Sequence, residues 1–183
     1  MNPHVTSLIE CLIATPISTS DKEIERCGFL LSMLVEKHSK QRTPGSLYEE
    51  VLPKPYFDIE LDELEYREIV SKLCHFLNLP IASTKSKDMV LFVLSGTDSS
   101  TLTLSIPALV QLLGHSIGQP IFDECTKCLT RMLSSPQGVR EQAPEIREAL
   151  PNLGDVFQLI RNRAGQESDA SVALERLQDL LAD

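Results

Sequence analysis

No stretch of this sequence approaches the ~18 consecutive apolar residues that a membrane-spanning helix requires. The opening run, "MNPHVTSLIECLIATP", lacks a basic leader region and is interrupted by Ser7, Glu10 and Thr15, so it reads as neither a signal peptide nor an anchor. Basic side chains are in deficit: 17 Lys and Arg face 26 Asp and Glu, giving a formal charge of −9 and a pI near 4.9. That field repels phosphate backbones and anionic lipid, so direct nucleic-acid binding and membrane insertion are not expected, and a charged partner is expected to be basic. Five cysteines, Cys11, Cys27, Cys74, Cys125 and Cys128, form no even disulfide framework. Each sits in an apolar helical pattern where a free thiol behaves as a small hydrophobe, which points to a reducing compartment, cytoplasm or nucleus. Tryptophan is absent altogether.

Catalytic signals are equally scarce. Cys125-Thr-Lys-Cys128 is a C-x-x-C, and Cys74-His75 could complete a zinc site, but the pair lies at i and i+3 in an apolar helix and reads as core. A redox role would need a strand running into a helix N-terminus, and no such pattern surrounds it. His4, His38, His75 and His115 are scattered, with no nucleophile elbow and no glycine-rich phosphate loop; "GTDSST" at Gly96 to Thr101 reads as a solvated turn. No enzyme activity, metal or cofactor is expected.

What is present is helical periodicity. Val5, Leu8, Ile9, Leu12 and Ile13 lie on one face of a short helix ended at Thr15-Pro16, and Ser20 or Asp21 can cap a second helix with the stripe Ile24, Cys27, Leu31, Leu34 and Val35. Residues 39–57 hold three prolines and a glycine and are expected to form a long loop with at most a helical turn near Leu47; its aromatics, Tyr48, Tyr56 and Phe57, should pack on the body or on a partner. A helix is expected from about Leu61 to Leu79. The apolar run Met89 to Leu94 suits a buried strand or a buried helical turn equally, and its helical neighbours decide for helix. Helices then follow over Ile106 to His115, Ile121 to Ser134, Val139 to Ala149, Leu153 to Arg163 and Val172 to Leu181.

The order of these helices repeats. Cys125, Leu129, Met132 and Leu133 share their spacing with Ala173, Leu177, Leu180 and Leu181, with Cys27, Leu31, Leu34 and Val35, and with Ile69, Leu73, Phe76 and Leu77. Short apolar helices precede the longer ones: "VTSLIECL", "IPALVQLL" and the Val156, Phe157, Leu159, Ile160 cluster. A unit of about 45 to 50 residues recurring about four times is the signature of a helical solenoid, in which each pair buries a face on its neighbour. The expected fold is therefore all-α, a single domain over residues 1–183 forming a right-handed α-solenoid.

"IPALVQLL" followed by a helix of the form Ala/Cys-x3-Leu-x2-Leu resembles the armadillo repeat, with HEAT-type pairs as the near alternative. The likeness is carried by residues 104–181, where "SPQGVREQAPEIREALPNLGDVFQLI" resembles a polar first helix leading into a second, and by residues 3–36. It implies a non-enzymatic adaptor whose longer helices line a concave surface for a helix or extended segment of another protein, in a hetero-complex rather than a homo-oligomer. The family's peptide-gripping places fall on Phe29 and Met33, Ser71 and His75, Lys127 and Arg131, and Glu175 and Asp179. None carries the Trp or Asn with which importin alpha and its relatives hold a basic localisation signal, so a different protein partner is implied. A second possibility is a structural subunit buried in a larger assembly, or a piece of a longer repeat protein, because Leu174, Leu177, Leu180 and Leu181 leave a leucine stripe near the last residues. Zinc or redox use of Cys125 and Cys128 stands last.

Overall fold

The computed structural model describes residues 1–13, 19–39, 52–80 and 83–182. Among these the chain is all helical, with ten α-helices, one short 3-10 turn and no strand. It divides into two compact units, Met1–Thr97 and Asp98–Asp183.

The first unit holds α1 (Pro3–Ile13), α2 (Asp21–Ser39), α3 (Glu63–Leu77) and α4 (Thr84–Leu94). Ser20 starts α2 by accepting the Glu23 amide at 3.3 Å. Asp62 starts α3 through a reciprocal capping box with Glu65, which sets the first turn at Glu63 rather than Leu61. The ambiguous run Met89 to Leu94 is the second half of α4: Ser83 accepts the Ser86 amide, so the polar "TKSK" that looks like a loop is the helix's first turn. Residues 52–62 return towards α2, where Lys37 Nζ donates to the carbonyls of Phe57 and Ile59 at 3.1 Å each. His38 stacks on the buried ring of Tyr66 at 4.3 Å, its Nδ1 donating to Leu61 O at 2.9 Å and its Nε2 facing Glu63 at 3.2 Å. Tyr56 is half-buried, with its ring edge-on to His4, while Phe57 is exposed. The turn near Leu47, and Tyr48, lie outside the described residues.

Two hairpins, α1–α2 and α3–α4, pack helix on counterpart helix: α1 meets α3, and α2 meets α4 most extensively. Gly28 permits the second contact. A Cβ there would stand 2.4 Å from Met89 Cε and 3.1 Å from its Cβ, so with any larger residue the end of the Met89 side chain would have to turn aside and α4 give by a few tenths of an ångström.

The second unit holds the 3-10 turn Ser99–Thr101, α5 (Leu102–His115), α6 (Pro120–Met132), α7 (Pro136–Glu141), α8 (Ala143–Ala149), α9 (Leu153–Ala164) and α10 (Asp169–Leu181). The sequence reads 139–149 as one segment, but the structure breaks it at Gln142. Pro144 has no amide to continue the ladder, and the Gln142 side chain turns inward, accepting from Thr103 N and donating to Ser99 O. Gly138 fits α7 against the 3-10 turn, since a Cβ would meet Ser99 Cβ at 2.8 Å. Here too pairs stack on pairs: α5–α6 and α9–α10 are hairpins, α5 meets α9, and α6 meets α10, while α7 and α8 close the edge of α10. Ile106, Leu109, Leu113, Cys125, Leu129, Ile160, Leu174 and Leu177 are fully buried along these seams. The C-terminal leucine stripe is covered within its own unit, and Arg147 donates to the Leu181 carbonyl at the end of α10.

Leu129 sits at the middle of these contacts. Leu129→Ala is expected to cost about 2–5 kcal/mol in denaturant unfolding, because the gap between two helix pairs cannot close without moving both. Gly138→Ala should also destabilise, by about 1–3 kcal/mol less the ~1 kcal/mol helix-propensity gain, because the atom in the way is attached almost directly to the backbone. A stabilised Gly138→Ala variant would show that α7 is free to shift.

Candidate functional site

All eight residues singled out in the sequence lie off the core, with Met33 half-buried and the other seven exposed. The fold does not bring each to its expected neighbour. Phe29 points away from the α1–α2 seam one residue after Gly28, and Phe92 follows Met89 by one turn of α4. Seating Met89 on Gly28 therefore sets Phe92 beside Phe29, edge to face at 5.2 Å and 88°. They remain 42% and 46% exposed, an apolar pair at the surface. Phe92 was missed because its run reads as uniformly buried. Glu25 and Lys85 link the same two helices at 3.8 Å.

Ser71 and His75 are on α3, which packs on α1 and so stands in the first rather than the last position of its hairpin. They line a cleft of about 460 Å³ with Ile9 and Ile13 of α1 and Phe76 and Leu79 of the α3 side. The shared stripe spacing of Ile69, Leu73, Phe76 and Leu77 reflects a buried face alone, which first and last helices possess equally.

In the second unit Lys127 and Arg131 lie one turn apart on α6. They share one groove between α6 and α10, about 490 Å³ in volume. Its floor and sides are Leu133, Ala173, Thr126, Thr130 and Val172, and the opposite wall carries Arg176 and Asp169. Glu175 and Asp179 are exposed on α10 but do not line it. The armadillo resemblance places the acidic pair on the groove, whereas the pitch of α10 turns Val172, Ala173 and Arg176, at i+3, i+4 and i+7 from Asp169, to that side.

The thiols are placed for packing. Cys125 and Cys128 are buried on α6, and the Cys125 Sγ–H donates to Leu109 O at 3.3 Å. Burial pushes the Cys125 thiol well above its ordinary range, with Cys128 adding to the effect. In the first unit Cys27 is pushed up to about 12 by burial and by the adjoining Cys11. A thiol held protonated is a poor nucleophile and a poor metal ligand. Among the described residues no three His, Cys, Asp or Glu side chains converge as a metal site, and no single helix is long and apolar enough to cross a membrane.

No protein-family model, curated protein or solved structure matches this chain.

Cys125 and Cys128 should resist alkylation in the native protein and react in denaturant, as followed by mass spectrometry. Rapid stoichiometric modification of native Cys125 would contradict its place in the α6 seam.

Proposed function

We propose that this chain is a non-enzymatic scaffold of armadillo-like helical units that binds a segment of another protein, working in the cytoplasm or nucleus. The observation that carries the reading is the groove between α6 and α10, which has an apolar floor, a charged rim and room for several side chains. Its setting supports the repeat interpretation. The α7–α8 segment, α9 and α10 follow one another as a polar leading element, a middle helix and a last helix, and α9 and α10 pack on α5 and α6 respectively. The groove thus lies between last helices of successive pairs, where a repeat protein presents its docking surface.

The alternative of a subunit with an open, apolar C-terminal end loses its motive, because Leu174, Leu177, Leu180 and Leu181 are all buried inside the second unit. The adaptor reading is tested by purifying the chain from native cells and measuring its stoichiometric partner against Lys127→Glu combined with Arg131→Glu. Binding should weaken at least about ten-fold, with the melting temperature shifted by no more than about 2 °C, since both side chains are exposed. A partner that binds the double variant as well as the native chain would remove the groove from the account.

A further inference from the structure

Resting on that docking reading, we infer that the groove between α6 and α10 recognises an acidic peptide segment, with an apolar residue set between its carboxylates. The charge of the groove is opposite to that of the chain. Lys127, Arg131 and Arg176 line it against the single carboxylate of Asp169, although the protein as a whole carries −9. Asp169 also lies in the first turn of α10, where a carboxylate is partly matched by the helix dipole. Lys127 is engaged by Glu124 at 3.1 Å. Among the described residues no carboxylate comes within ion-pairing distance of Arg131 or Arg176, and the other acidic side chains of these helices, Asp123, Glu124, Glu175 and Asp179, stand outside the lining. Two arginines facing one cleft present planar donor forks that match carboxylates two bonds at a time. Between them Val172, 53% exposed, and Ala173 and Leu133 below it form the apolar contact.

Distance decides which anion fits. At physiological ionic strength charges are screened over about 8 Å, so a short acidic segment inside the groove is governed by Arg131 and Arg176 rather than by the remote negative charge. A nucleic acid would carry its charge beyond the groove, onto a surface that repels it. The expectation of a basic partner, drawn from the whole-chain charge, gives way at contact range to the side chains that line the site.

A displayed library of random short peptides selected against the full chain tests this directly. The recovered peptides should be enriched in Asp and Glu flanking Leu, Ile or Val, and their binding should fall at least about ten-fold in Arg131→Glu combined with Arg176→Glu. It should fall likewise in Thr130→Trp, which fills the groove without changing charge, and should weaken as salt rises. Circular dichroism melting of each variant shows that it is folded. Peptides that are neutral or basic, lost with Thr130→Trp but indifferent to the arginine changes, would overturn the acidic-segment inference and leave the docking groove standing. Peptides indifferent to all three substitutions, or no recovered peptide at all, would overturn both.

Discussion

A hairpin of two short amphipathic helices cannot cover the apolar surface it carries. Each helix buries one side against its partner, and the remaining stripe stays wet until another hairpin is laid across it. In both units last helix lies on last helix, while α1 is covered by α3 and α4 together and α5 by α8 and α9 together. Leu129 is fully buried because α6 meets both α5 and α10, and Leu31 is fully buried because α2 meets both α1 and α4. The close seating of Met89 over Gly28 and of α7 over the Ser99 turn follows from this constraint: glycine stands where the second layer would otherwise be held off. So does the groove. Where two last helices lie side by side, their outward residues leave a channel whose character is set by side chains with no share in the core.

The buried half of this arrangement was legible in the sequence because burial selects residue type with a period. Val5 to Leu12 and Cys125 to Leu133 identify their helices and faces from spacing alone. Helix α4 was half-hidden, because its polar first turn depends on a serine cap that is indistinguishable from loop composition until the backbone is seen. The break at Gln142 was hidden for a related reason: a half-buried glutamine that bonds Thr103 N and Ser99 O carries no local signature, since both partners are about forty residues away. The candidate site was legible in part. Lys127, Arg131 and Phe29 are outward positions fixed by their helix stripes, while Arg176 and Phe92 depend on which helix packs beside which. That is long-range information, and the equal stripes of α2 and α3 show that spacing does not carry it.

Charge is arranged on a similar logic. The excess of carboxylates is spread over solvated helix faces, where screening keeps each one local. Against that background a cleft with two arginines at its rim is electrostatically distinct over the dimensions of a peptide side chain, even though it contributes little to the total. The core cysteines complete the contrast. Both are reactive by type and buried by position, and the packing that orders α6 holds the Cys125 thiol protonated.

The central claim is that each helix pair is stable only through the pair stacked on it. Native-state hydrogen exchange on the chain carrying Leu177→Ala tests it most directly. Leu177 belongs to α10 and is fully buried. If the pairs support one another, the opening free energy of amides in α5 and α6 falls together with that of α9 and α10, by a similar amount. A fall confined to α9 and α10, with α5 and α6 exchanging as in the unaltered protein, would contradict it.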